Sequence, residues 1–273
     1  MKKGIMTKGI AATVLMVTAV LMASCGSEGE VKTEFKRAVK DVSAKLTREA
    51  DSPQCTVHLN IAYAVQDPKE TEKSKAAQVM NKTVMGRLLD MEEMTMVQAV
   101  DSFANKYVRD YQKNFAPLYR EDKGDEGKRA WYEYRYKVDT ETRAGRKGTV
   151  VYTATLEYYE GGAHGISQRL VMNFDEKTGR QVKLGDVFVP GYEGRLNELL
   201  LDALKDYADA RSLDELHEKG YLYSMDMFAP ENFILDEDEV IFVYNPFEIA
   251  PYTAGIIELH IDNDDLKEIA KKE

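Results

Sequence analysis

Cysteine is nearly absent from this 273-residue chain, which holds only Cys25 and Cys55. Two thiols cannot build a cysteine-rich metal site, and once Cys25 is chemically committed no intramolecular disulfide remains. Histidine is almost as sparse. The four present, His58, His164, His217 and His260, are spread so that no two lie within five residues of each other, which excludes the helical zinc-protease spacing and other local histidine pairs. There is no glycine-rich phosphate loop closed by lysine and serine or threonine, and no Gly-x-Ser-x-Gly elbow. The sequence therefore predicts no catalytic residue set, no metal ligand set and no cofactor. It also lacks a repeat of solenoid period, and past its first residues it has no apolar run of the ~20 residues a spanning helix needs.

What is present begins at the N-terminus. Lys2, Lys3 and Lys8 precede an apolar run from Ile10 to Ala23, and Ala23-Ser24-Cys25 sets small residues before a cysteine. This resembles a bacterial lipoprotein signal, with residues 1–24 removed and Cys25 acylated on its thiol and amine by palmitate-type chains. Met22 departs from the leucine usual at that position. Each buried methylene contributes about 0.8 kcal/mol, so several chains would hold the protein to a membrane face. The expected location is the bacterial cell envelope, as a membrane-anchored lipoprotein either periplasmic or surface-exposed.

Loss of the three lysines in residues 1–24 takes the formal charge from −10 to −13. An acidic chain disfavours nucleic acid and anionic lipid surfaces and attracts cationic partners, although solubility alone also explains such a charge.

Residues 25–52 read as a tether or stalk, because Phe35, Val39, Val42 and Leu46 recur at helical spacing in a charged segment. The folded body is expected from about Pro53. Cys55 opens a strand in which Val57, Leu59, Ile61, Tyr63 and Val65 alternate with His58 and Asn60, so Cys55 reads as a buried thiol and His58 as lying on the other face. A helix carrying Ala76, Ala77, Met80, Val84, Leu88 and Met91 follows. Thr95 and Gln98 then form a capping box for a second helix, bearing Val100, Phe103, Tyr107, Tyr111, Phe115 and Leu118, that Pro117 and the charged stretch Arg120 to Arg129 should end. Next comes an antiparallel meander through Tyr132, Tyr134 and Tyr136, then Tyr152 and Leu156, then Phe174, with these side chains expected on one face beneath the second helix. Farther on, Leu196 to Tyr207 and a short segment capped by Ser212 read as helices, residues 233–235, 240–244 and 256–261 as strands, and 262–272 as a terminal helix. The fold class is α+β: antiparallel sheets covered by helices in two small domains, residues 53–165 and 166–273.

Two loops stand out. Glu160-Gly161-Gly162-Ala163-His164-Gly165 reverses the chain between two strands of the meander, and its glycines permit backbone angles closed to other residues. A ligand-binding loop and a tightly packed turn both need that freedom. The second, Asn245-Pro246-Phe247-Glu248-Ile249-Ala250-Pro251-Tyr252, is a connector stiffened by two prolines, whose aromatics suit either a partner or the core. The candidate binding residues are Glu160, Gly161, Gly162, His164, Glu248 and Tyr252. If they share a surface, the loops should lie together and line a groove; otherwise they are buried seams, one per domain.

Tyr159-Glu160-Gly161-Gly162-Ala163-His164-Gly165, Asn173-Phe174-Asp175 with Thr178-Gly179, Leu184-Gly185-Asp186-Val187-Phe188, and Phe247-Glu248-Ile249-Ala250-Pro251-Tyr252 with Gly255 carry a resemblance over about residues 53–266. In order and spacing they resemble the extracytoplasmic portion of RsiV-type anti-sigma factors, and they are similar to the accessory region of PdaC-type peptidoglycan deacetylases. The resemblance implies a two-part α+β body and, from the lysozyme-sensing members, direct binding of lysozyme. Neither a sigma-binding segment with its spanning helix nor a catalytic domain with paired metal-binding histidines has a counterpart in this chain. The resulting expectation is a non-enzymatic, lipid-anchored envelope protein that binds a lysozyme-like protein or peptidoglycan. Two alternatives stay open: an envelope glycan or peptide hydrolase pairing His164 with a nearby carboxylate, and a structural envelope lipoprotein.

Overall fold

The structure, a computed structural model, describes residues 33–272 apart from 68, 123 and 124. The expected signal segment and the expected lipidation position, Cys25, lie outside the described residues.

Six strands form the first sheet in sequential order: β1 (Phe35–Lys45), β2 (Gln54–Ala64), β3 (Tyr134–Ala144), β4 (Thr149–Glu160), β5 (Ile166–Asp175) and β6 (Gln181–Val182). All neighbours pair antiparallel except β2 and β3, which are parallel. A parallel pair needs a long crossover. Here it is supplied by α1 (Thr71–Leu89) and α2 (Met96–Asp122), which cover one face of the sheet. Cys55, Val57, Leu59 and Ile61 point into that interface, while Thr56, His58 and Asn60 alternate outward.

The stretch read as a helical stalk is strand β1, paired with β2 along its whole length from Phe35↔Ala64 to Lys45↔Gln54. Its core-facing positions are Ala38, Lys40, Val42 and Ala44, opposite Ile61, Leu59, Val57 and Cys55. The two-residue period was masked by Lys40, which occupies an inward position yet reaches Asp101 of α2 at 2.5 Å, and by alanines that signal burial weakly. A short charged helix with nothing to pack on is marginal, whereas a strand added to β2 satisfies its backbone at once. The body therefore begins at Phe35 rather than near Pro53. The division expected at residue 165 falls in the turn between the paired strands β4 and β5, and this sheet continues to Val182.

The Thr95 capping box is present: Gln98 N donates to Thr95 Oγ1 at 3.4 Å and Thr95 N to Gln98 Oε1 at 3.1 Å. Helix α2 runs through Pro117 and ends at Asp122, within the charged stretch expected to close it. Its last turn is fixed from outside, since the Asp122 carboxylate accepts from Lys128 Nζ and Tyr132 OH, both at 2.7 Å. On its inner face Phe103 and Tyr107 lie over Tyr136, with centroids 5.4 and 5.0 Å away, and Tyr111 and Phe115 over Tyr134, at 5.2 and 4.9 Å. Tyr152, Phe174 and Leu156 join the same core. Tyr132 reaches it from a 3₁₀ turn before β3, not from the strand.

A second, three-stranded antiparallel sheet is made by β7 (Phe233–Leu235), β8 (Glu239–Tyr244) and β9 (Ile257–Asp262). The short α3 (Leu184–Val187), α4 (Glu193–Tyr207) and α5 (Leu213–Glu218, capped by Ser212) pack on it through Leu196, Leu200, Leu204 and Leu216. The expected terminal helix is a single turn, α6 (Asn263–Leu266), followed by a tight turn in which Ile269 N and Ala270 N bond Leu266 O, after which Ala270 bridges to Phe188. Among the described residues no helix is long and apolar enough to cross a membrane.

The two sheets are joined by a small apolar cluster of Val151, Val171, Ile234, Ile241 and Val243, and by three asparagines acting as surrogate peptide groups. Asn173 donates to Phe233 O (2.8 Å) and accepts from Leu235 N (2.9 Å). Asn232 accepts from Val171 N, and Asn245 from Arg169 N, each at 2.7 Å. These contacts hold β5 against the second sheet, and they position the two loops.

Candidate functional site

The glycine-histidine loop follows from backbone chemistry. Gly161 and Gly162 adopt φ of +80° and +96°, a left-handed pair that β-carbon-bearing residues take at a cost. Gly161 also lies flat on the Trp131 carbonyl, where a β-carbon would collide with the oxygen. The Tyr159 hydroxyl sits 2.8 Å from Gly162 O and 3.2 Å from Ala130 O, so the loop is moored on its Trp131 side.

The proline connector is shaped by its own hydrogen bonds. Glu248 N donates to Asn245 O (3.1 Å), Phe247 N to Ala250 O (3.2 Å), and the Glu248 carboxylate accepts from Asn245 N (2.7 Å). This tight turn forces Phe247 to φ +73° and leaves the residue 67% exposed. The Asn245 side chain also bonds Arg169 of β5, the strand that leaves the glycine-histidine loop, and so brings the two loops side by side.

They meet through Tyr252. Its hydroxyl donates to Gly165 O at 2.7 Å. Its ring stacks with two others, His164 at 5.4 Å and 20° and Phe247 at 5.7 Å and 29°. The three rings border an open groove of about 530 Å³, lined also by Gly165, Ile166 and Pro251. No charged residue lines it.

Of the residues singled out in the sequence, His164 and Tyr252 line the groove, and Gly161 and Gly162 shape the loop behind it. Glu160 and Glu248 do not line it. Glu160, at the end of β4, accepts a hydrogen bond from the Tyr107 hydroxyl, and Glu248 is occupied in capping its own turn. Phe247, Pro251 and Ile166 are additional. Phe247 has a partial sequence signal, an aromatic directly after a proline in a connector; Ile166 reads only as the first residue of β5.

No hydrogen bond or ion pair joins His164 to a carboxylate among the described residues, so the geometry supplies no acid-base pair there. His58 and His260 do meet carboxylates, Asp41 at 2.7 Å and Glu239 at 3.0 Å, but on the outer faces of strands rather than in a cavity. Cys55 is fully buried, and burial, with a smaller contribution from Glu160, pushes its thiol up to about 12. That is the opposite of an activated nucleophile.

Residues 185–264, which include the connector and the second sheet, match a family described as a protein of unknown function, DUF3298. A crystal structure of a DUF3298 family member from Bacteroides fragilis superposes with a TM-score of 0.81 at 26% identity, covering 90% of this chain and 96% of that one. A DUF3298 family protein from Pseudomonas aeruginosa shares the fold with a TM-score of 0.60 at 19% identity, over 88% of this chain and 94% of its own. The peptidoglycan-N-acetylmuramic acid deacetylase PdaC of Bacillus subtilis is 26% identical over 180 residues, 65% of this chain. The match spans 37% of that enzyme's length, and the similarity is to its accessory region.

Proposed function

We propose that this protein is a non-catalytic binding protein of the cell envelope, held to a membrane through lipidated Cys25, and that it recognises its ligand at the surface shared by the glycine-histidine loop and the proline connector. The observation that carries this reading is the His164–Tyr252–Phe247 stack beside an open groove. Loops fixed on rigid sheets are where recognition usually resides, and exposed aromatics are favoured anchors for partners. Similarity to a peptidoglycan deacetylase supports an envelope ligand, either the wall itself or a protein that acts on it. The resemblance to RsiV-type proteins adds lysozyme as a protein candidate, to which the acidic charge of the chain is complementary.

The test is sedimentation of the full chain with purified peptidoglycan sacculi, together with calorimetry against lysozyme at low and physiological salt. Binding to either, weakened by Phe247→Ala, is expected. Absence of binding to both overturns the reading. For the anchor, wild-type protein is expected in the membrane fraction and Cys25→Ala in the soluble fraction; a Cys25→Ala protein that still partitions with membranes removes lipidation from the proposal.

A further inference from the structure

We infer that the groove between His164 and Phe247 is a saccharide subsite, taking an uncharged pyranose of a glycan strand with the apolar face of the sugar against the aromatic rings. The inference rests on the binding-surface reading above and names the chemistry of its ligand.

Three observations carry it. The first is charge. Acidic and basic residues make up 31% of the chain, yet none lines this groove. A second concavity, about 500 Å³ beneath the β3–β4 turn, is lined in part by Arg146, Lys147, Glu237 and Lys267. A site for a cationic protein or an anionic polymer would place opposite charge where the ligand sits. This one offers ring faces.

The second is the cost of presenting Phe247. Its positive φ is unfavourable for a bulky side chain, and its ring is left mostly in water. Burial on Tyr252 alone would not require that exposure. A ring held outward by a hydrogen-bonded turn, with Tyr252 and His164 continuing the stack, is a stiff aromatic platform. The negative faces of such rings attract the polarised C–H bonds on one side of a pyranose.

The third is the distribution of polar groups. The His164 ring nitrogens have no hydrogen-bond partner among the described residues, and Thr253 also lines the groove. Both stand beside the aromatic surface, where the hydroxyl or acetamido groups of a stacked sugar would emerge. The volume falls in the ~300–1,000 Å³ range of small-molecule sites, a scale suited to one or a few sugar units rather than a protein face.

The experiment titrates the full chain with a neutral β-1,4-linked N-acetylglucosamine tetrasaccharide, followed by saturation-transfer NMR and calorimetry. Saturation should reach the ring protons of the sugar, and affinity should change less than twofold between ~0.05 and ~0.5 M salt, because no charge is involved. Phe247→Ala, at an exposed position, should weaken binding at least tenfold, while Lys147→Ala beside the other concavity should leave it unchanged. No saturation transfer to the sugar, or equal affinity in Phe247→Ala, overturns the inference. If the sugar fails while sacculus or lysozyme binding is still lost in Phe247→Ala, the binding surface stands and the saccharide assignment falls. Loss of every interaction in wild type removes both.

Discussion

The Tyr252 hydroxyl donates to the Gly165 carbonyl at 2.7 Å, joining residues 87 positions apart and locking the proline connector to the glycine-histidine loop. The same side chain is the middle ring of the stack, so one residue both closes the seam and builds the binding face. Tyr252→Phe should keep the stack and lose one hydrogen bond, about 0.5–1.5 kcal/mol. Tyr252→Ala should also free His164. Hydrogen exchange of amides 162–166 is expected to accelerate modestly in the first variant and strongly in the second; identical exchange in both would show that Tyr252 does not hold the loop.

Gly161 and Gly162 look equivalent in the sequence and are not equivalent in the fold. Both have positive φ, so alanine at either pays a backbone cost of order 1 kcal/mol. Only at Gly161 does the new methyl meet an obstacle, the Trp131 carbonyl; around Gly162 the space is open. Gly161→Ala should therefore lower the denaturant midpoint clearly more than Gly162→Ala does. Equal losses would mean that backbone conformation alone matters here.

Much of the architecture was legible because the patterns were strong. The Thr95–Gln98 box, the aromatic stripe of α2 and the alternation in β2, β3 and β4 each specify their element locally. Strand β1 was not, since Lys40 sits at a core-facing position and its amine is met there by Asp101, a partner 61 residues away. The α2 terminus at Asp122 falls in the charged stretch that marks it in the sequence; Pro117 itself does not end the helix, whose last turn is anchored at Asp122 by Lys128 and Tyr132. At the site, the two loops could be chosen from glycine and proline chemistry. Their adjacency could not, because it depends on Asn245 and Tyr252 finding backbone groups on β5 and at Gly165. Glu160 and Glu248 drew attention as acids near special turns, and their actual partners, Tyr107 and the Asn245 amide, draw them into structural roles.

Asn173 is 1% exposed and satisfies one donor and one acceptor of β7. Its amide imitates a peptide group where a strand-to-strand ladder would otherwise be needed between β5 and the second sheet. Asn173→Ala would leave Phe233 O and Leu235 N without these partners, at about 1–3 kcal/mol for each group left buried and unpaired. Thermal unfolding should show a large fall in midpoint. Asn173→Asp, which keeps the acceptor but loses the donor and buries a charge, should not rescue it. A midpoint within a degree or two of wild type for Asn173→Ala would mean that water replaces the amide and that the apolar cluster alone joins the sheets.

Cys55 offers a test of the core itself. Its side chain is fully buried against the helices, and desolvation, reinforced by Glu160, raises the thiol to about 12. In the unfolded chain it returns to roughly 8.5. The folded state therefore prefers the protonated form, and the stabilisation is fully present below about 8.5 and is lost as pH rises from there toward the folded value. Between about pH 8 and 9, below the ordinary tyrosine value near 10, the urea midpoint should fall by an amount corresponding to about 0.7 kcal/mol. Cys55→Ala removes the titrating group and should flatten that slope, whatever its cost in absolute stability. In the wild type a thiol reagent at about pH 8 should react only after denaturant is added. Rapid labelling of the native protein, or an unchanged pH slope in the alanine variant, would contradict a desolvated Cys55 at the centre of this sheet.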